Sequence, residues 1–199
     1  MSNAYQELIN SDPEWKRNYE LIRTLGVESE RGMAVLVGAE LDRALELVLC
    51  AYLAPGKART ELFAGSSPPL GTFSGKINLC RALHLINEDE CTALHTIRKI
   101  RNEFAHDPDA SFANAQIRSW VDILRSNPEQ DHKTRFELEA AGLIASLETT
   151  AVDQAHGRVY EESFNTWYRR GADRDAKPLK SKEEAAEAYR SKRSDKTAR

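Results

Sequence analysis

The residues best suited to chemistry lie in one short stretch, RNEFAH, at positions 101–106, two residues before Pro108. A guanidinium binds phosphate through paired N–H donors, and a histidine acts as a general acid or base near neutral pH. Arg101 and His106, assisted by the amide of Asn102, could therefore cleave a phosphodiester without a metal ion. If the chain is an enzyme, these three residues are the candidate catalytic residues.

Helix geometry limits what this stretch can do within one chain. Residues 88–106 are predicted to form one helix, since Asn87 can start it and Pro108 disfavours helix at the residue before it. Positions five apart on an α-helix point about 140° away from each other. Arg101 and His106 of one chain would not converge on one bond, so catalysis would require a dimer.

The same residues also allow a purely structural interpretation. Ile97, Arg101 and Phe104 share one helix face, so the arginine stands where an apolar residue would be expected. A guanidinium is costly to bury unpaired, which predicts an anionic partner on another helix. Asn102 and His106 would then cap the end of the helix, and nothing would be catalysed.

The predicted partner lies in the most apolar segment of the chain, residues 28–53, which is expected to form a central helix. Asp42 interrupts an apolar stripe on that helix with a charge. Glu40 is the alternative anionic partner for Arg101. We predict a structural ion pair between Asp42 and Arg101.

Helical periodicity dominates the whole sequence, and strand alternation is hard to find. The predicted fold class is all-α, with a single helical bundle domain over residues 1–177. Residues 178–199 are rich in charge and poor in apolar groups, which predicts a solvated helix or a disordered tail.

Composition restricts the class of partner. The net charge of the 199 residues is only −3, whereas a protein that grips nucleic acid over a whole face normally has a strong basic excess. Contact with DNA or RNA is therefore not supported by the net charge. The amino terminus has no apolar signal core, and no apolar run approaches the roughly 20 residues that span a bilayer. We expect a cytoplasmic protein without membrane contact.

No cofactor or metal site is predicted. Cys50, Cys80 and Cys91 show no CxxC or Cys/His ligand spacing, so they are expected to be reduced thiols that pack as small apolar groups. The loop at residues 64–76 lacks the GxxxxGK[ST] order of a phosphate loop. It is expected instead to turn the chain and to place Phe73 against the core.

Residues 101–106 take part in two resemblances to known protein families. The order Arg-Asn, three residues and His is similar to the motif of HEPN domains, all-α modules many of which are metal-independent RNases that act as dimers. This resemblance implies that Arg101 and His106 are a catalytic pair and that Asn102 assists them. The similar stretch covers six residues.

The second resemblance is longer. Three segments, at residues 33–49, 62–86 and 94–112, resemble in order and spacing the mannitol operon repressor (MltR) family. The stretches PLGTFSGKI and IRKIRNEFAH are its most specific parts. The resemblance implies a helical bundle that self-associates and regulates transcription of a sugar-uptake operon. The sequence offers no pair of short helices around a tight turn with basic side chains, as a helix-turn-helix requires.

The function predicted from the sequence is therefore that of a transcriptional regulator of the mannitol repressor type, acting as a homo-oligomer through a regulatory protein partner or a weak DNA contact. The alternative is a HEPN-type endoribonuclease that uses paired Arg101 and His106 residues.

Overall fold

A computed structural model describes residues 20, 23–125 and 127–171, with side chains up to residue 157. These residues are helical or irregular, without a strand, which confirms the all-α prediction. Residues 23–27 are helical, and six helices follow in the described part: α1 Glu30–Tyr52, α2 Lys57–Phe63, α3 Phe73–Ala82, α4 Glu88–His106, α5 Ala115–Val121 and α6 His132–Gly171.

The described part of the chain divides into two units, one up to residue 152 and one from residue 153. The described part of the second unit, residues 153–171, is helical. The predicted boundary at residue 178 and the predicted tail, residues 178–199, lie outside the described residues.

Helix α1 lies at the centre of the first unit and packs against both α3 and α4, which also pack against each other. It begins at Ser29, whose hydroxyl accepts a hydrogen bond of 3.0 Å from the backbone N–H of Gly32. Its long apolar run supplies about a third of the buried core. The buried residues of α1 are Met33, Ala34, Val37, Gly38, Leu41, Ala44, Leu45, Val48, Leu49 and Ala51.

The start of α1 lies beside the end of α4, so the two helices run antiparallel. Arg31 Nη2 donates a hydrogen bond of 2.6 Å to the carbonyl of Asp107, which directly follows α4. Its neighbour Glu30 accepts one of 3.0 Å from the backbone N–H of Phe112. Further along, Gly38 of α1 lies against Arg101 of α4. This arrangement brings the central helix against the candidate residues.

The bounds of α4 agree with those predicted from the sequence because both ends have local signals. Asn87 Oδ1 accepts a bond of 2.9 Å from Glu90 N–H, and Glu90 Oε2 accepts one of 2.9 Å from Asn87 N–H. This reciprocal capping box satisfies two amides that would otherwise lack partners. At the other end, Pro108 follows the extended residue Asp107 and stops the helix.

The loop between α2 and α3 places Phe73 against the core, as predicted. The backbone N–H of Leu70 donates a bond of 2.8 Å to the carbonyl of Leu62, and the Leu70 side chain is buried. A Cβ on Gly71 would lie 2.6 Å from Pro68 Cγ, so this tight turn requires glycine. Phe73, the first residue of α3, is partly buried against the core.

The cysteine side chains differ in burial. Cys80 is fully buried, and burial raises the pKa of its thiol to about 12. The pKa of Cys91 is also raised, by burial and by the charge of Glu88, while Arg81 acts in the opposite direction. Thiolates are the reactive form, so neither environment activates a cysteine nucleophile.

Candidate functional site

Arg101 of α4 is partly buried and lies across the central helix. A Cβ built on Gly38 would lie 2.7 Å from Arg101 Cγ and 3.4 Å from Arg101 Cβ. A bare glycine at position 38 therefore makes a notch in α1 that accommodates the aliphatic part of the arginine. We call this contact the Gly38 notch.

The guanidinium of Arg101 is oriented from within its own helix. Arg101 Nη1 donates a hydrogen bond of 3.0 Å to Asn102 Oδ1. Since the amide oxygen is the acceptor, the Nδ2 group of Asn102 keeps both of its N–H donors for other partners. Among the described residues, no carboxylate lies within ion-pair distance of Arg101.

The structure gives Asp42 a different partner from the one predicted. Asp42 Oδ2 accepts a hydrogen bond of 2.9 Å from Lys76 Nζ of α3, and Glu46 Oε2 accepts one of 2.7 Å from the same ammonium. Lys76 reaches both carboxylates because its side chain, only 5% exposed, lies between α3 and α1. Asp42 lies one turn beyond Gly38, so Arg101 meets the backbone notch rather than the carboxylate.

Lys76 forms an ion-paired cluster with Asp42 and Glu46, and its pKa reflects two opposing effects. Burial alone would lower the pKa of Lys76, but the hydrogen bonds to Glu46 and Asp42 and their negative charges outweigh it, so the pKa is raised above 10.5. The position of Lys76 in the sequence already indicates that it needs a partner. Lys76 stands with Phe73, Ile77 and Cys80 on the inner face of α3, where a lysine needs an anionic partner.

Replacing Lys76 with Met keeps the aliphatic stem and leaves two carboxylates four residues apart without their cation. We expect a loss of about 1–2 kcal/mol in the free energy of unfolding at pH 7, reduced from a fully buried pair because both acids are partly exposed. The folded pKa of Lys76 is raised, so its contribution is complete below pH 10.5 and is lost as the pH rises through the folded value. Urea unfolding of both proteins between pH 7 and pH 12 checks this, and a difference that persists undiminished at high pH would contradict the ion-pair account.

Arg98 lies one turn before Arg101 and is also partly buried. Its Nε–H is buried without a hydrogen-bond acceptor, and no hydrogen bond or ion pair to Arg98 is present among the described residues. Sequence reasoning did not select Arg98, because a lone arginine on a helix gives no signal of its burial.

His95 joins α4 to α3 close to Arg98. Its Nε2 lies 3.1 Å from Asn78 Oδ1, which fits an Nε2–H donor. Burial and the positive charges of Arg98 and Lys99 lower the pKa of His95. The positive charges of Arg98 and Lys99 therefore lie close enough to His95 to act on it.

His106 lies apart from Arg101. It is exposed in the last turn of α4, whereas Arg101 is partly buried against α1. Within the described residues, no hydrogen bond joins the two side chains. The carbonyl at this helix end is bound instead by Arg31, a residue that sequence reasoning missed because it comes from the distant start of α1.

A concave region of about 260 Å³ lies at the start of α4. Arg125 Nη2 and Asp89 Oδ1 form an ion pair of 2.7 Å there. Glu90 is occupied by the capping box and by the hydroxyl of Ser146 at 2.6 Å. Because these charged groups already have partners, the region containing Arg98, Arg101 and Asn102 is the better candidate site.

The described residues show neither a metal-binding cluster nor a membrane-spanning helix. They contain no group of three or more His, Cys, Asp or Glu side chains that could hold a metal ion. They also contain no helix with the length and apolar character needed to cross a bilayer.

Comparison with solved structures finds a similar fold. The fold is similar to that of MtlR, also abbreviated MltR, in the X-ray structure of the MtlR–HPr complex from Escherichia coli. The TM-score is 0.55 at 19% sequence identity, and the match covers 66% of this chain and 98% of that chain. At this identity the likeness concerns the fold. No protein-family model and no curated protein matches the sequence.

Proposed function

We propose that this chain is a transcriptional regulator of the mannitol operon repressor type that acts through a protein partner. The observation that carries the proposal is the likeness to MtlR over 98% of that chain, in a structure where MtlR is in complex with HPr. The partner proposed for this chain is an HPr-like protein. Self-association into a homo-oligomer is part of the proposal.

The connection between the short helices α2 and α3 does not fit direct recognition of DNA bases by a helix-turn-helix. A helix-turn-helix needs two helices joined by a turn of about three or four residues, with the second helix presented to the major groove. The short helices α2 and α3 are separated instead by residues 64–72, which include Pro68 and Pro69. The inner face of α3 is packed against α1 and α4.

Calorimetric titration of the full chain with HPr from the same organism tests this proposal. Saturable binding is expected, with one HPr per subunit, and light scattering is expected to give a mass above that of one chain. An unrelated small acidic protein serves as the control titrant. Absence of heat with a folded chain, together with specific binding to operator DNA, would replace the protein-partner mechanism by direct DNA recognition.

A second candidate function, a metal-independent endoribonuclease of HEPN type, is favoured by one observation. The Arg101 guanidinium contacts the amide of Asn102 and no carboxylate among the described residues, so its charge is available to a phosphate. In this candidate, Arg101 of one chain and His106 of a second chain would act on the same bond. RNA cleavage in the presence of a chelator, lost in both Arg101→Ala and His106→Ala variants that remain folded, would establish it. An intact RNA substrate would reject it.

A further inference from the structure

Two partly buried arginines of α4 without an anionic partner, Arg98 and Arg101, point to an anionic ligand. We propose that Arg98, Arg101 and Asn102 form a binding site for a phosphomonoester dianion, the group carried by a phosphorylated small molecule or a phosphorylated side chain. The site shares Arg101 and Asn102 with the RNase candidate but differs from it in adding Arg98 and in binding a monoester without cleaving it, and it does not require the proposed HPr-like partner.

Most other arginines in the described part of the chain have an acceptor, which sets Arg98 and Arg101 apart. The bonded residues and their partners are Arg31 with the carbonyl of Asp107, Arg43 with Glu40 and Glu148, Arg59 with the carbonyl of Cys50, Arg81 with Glu88, Arg125 with Asp89, and Arg135 with Asp122. Arg118 is without a described partner but is exposed, so water solvates it. Arg98 and Arg101 are both partly buried and lack an anionic partner, and leaving a charged donor desolvated and unpaired is costly.

The three side chains lie on one side of α4. At 100° per residue, Arg98, Arg101 and Asn102 fall within an arc of about 100°, and residues three or four apart on a helix are neighbours. The Gly38 notch fixes the stem of Arg101, and Asn102 Oδ1 fixes its guanidinium. Asn102 Nδ2 supplies further donors. This preorganisation lowers the entropy lost when an oxyanion binds.

Charge selects the class of oxyanion. Two guanidinia carry two positive charges, and a phosphomonoester carries close to two negative charges at pH 7, because its second pKa is about 6. A phosphodiester carries only one. Lys99 is exposed and is not part of the site.

The nearby carboxylates do not occupy the site. Asp42 lies one turn from the Gly38 notch and is paired with Lys76. Glu103 is two positions after Arg101, which places it about 160° from that residue around the helix. Neither carboxylate reaches Arg98 or Arg101 within ion-pair distance.

Calorimetric titration of the full chain with glycerol 3-phosphate, acetyl-phosphoserine amide and dimethyl phosphate tests the proposal. Both monoesters are expected to bind saturably, and the diester at least about tenfold more weakly. The tighter of the two monoesters identifies the source of the group as a small molecule or a phosphorylated protein. No saturable binding of either monoester up to roughly 10 mM, or equal binding of the diester, would overturn the site.

Matched variants distinguish a specific phosphate-binding site from non-specific electrostatic attraction. Arg98→Gln and Arg101→Gln should each weaken binding of the tighter monoester at least about tenfold, because each removes a charge-assisted hydrogen-bond donor. Lys99→Gln removes the same charge from an exposed position and should change binding less than about threefold. If Arg101→Gln does not fold, Arg101→Lys serves instead. It keeps the charge but loses the paired N–H donors of the planar guanidinium, so an affinity loss is still expected. An equal loss in Lys99→Gln and Arg98→Gln would refute the proposal.

Discussion

Phe104→Ala is expected to lower the free energy of unfolding by about 3–5 kcal/mol, the largest effect of any substitution considered. Phe104 is fully buried on the inner face of α4. Its ring centroid lies 5.0 Å from that of Phe112, with the planes tilted by 51°. Phe112 in turn lies 5.2 Å from Phe136 of α6. Removing the first ring leaves a cavity and ends a chain of aromatic contacts.

Urea unfolding followed by circular dichroism measures this loss, and Phe63→Ala is the matched control. Phe63 is only partly buried at the end of α2, so the same truncation should cost clearly less. Equal losses in the two variants would show that the three-ring cluster stabilises the fold no more than a partly buried phenylalanine does.

Gly38→Ala is expected to lower the free energy of unfolding by about 1–3 kcal/mol, although alanine is ordinarily preferred to glycine within a helix by about 1 kcal/mol. The added Cβ would lie 2.7 Å from Arg101 Cγ, which is too close to the root of that side chain to be relieved by moving its far end. Either α1 and α4 move apart or Arg101 leaves its position. Chemical denaturation of the variant measures the loss.

The chain offers an internal control for this prediction. Gly142 is an exposed position of α6 where an added Cβ meets nothing within 4 Å, so Gly142→Ala should stabilise the protein by about 0.5–1 kcal/mol. Combining Gly38→Ala with Arg101→Ala should remove the clash and give a loss smaller than the sum of the two single losses. If Gly38→Ala stabilises the protein as Gly142→Ala does, the notch is loose and Arg101 is free to move.

Local signals made the fold class and the bounds of α4 predictable. Asn87 and Glu90 form their capping box within four residues, and Pro108 acts on the residue before it, so neither signal needs the rest of the chain. Helix α5 ends at Val121 without a proline at its boundary, so that end depends on a weaker local signal.

The partners within the candidate site could not be predicted in the same way. The sequence indicated that Asp42 and Arg101 each needed a partner, but the choice depends on the rotation and register of helices that are far apart in sequence. Lys76 is 34 positions from Asp42. Arg101, by contrast, bonds to the next residue in the chain, Asn102. The absence of a side chain at Gly38 decides where the arginine lies, and an apolar stripe read from sequence does not show this.

The bonds from Glu30 and Arg31 to the chain after α4 have a consequence for the order of folding. They join residues 82 and 76 positions apart, so the entropy of closing a long loop must be lost before either bond contributes. Helix α4 can nucleate earlier, because its capping box is local. The junction of α1 with the end of α4 is therefore expected to close late, and destabilising it should accelerate unfolding more than it slows refolding.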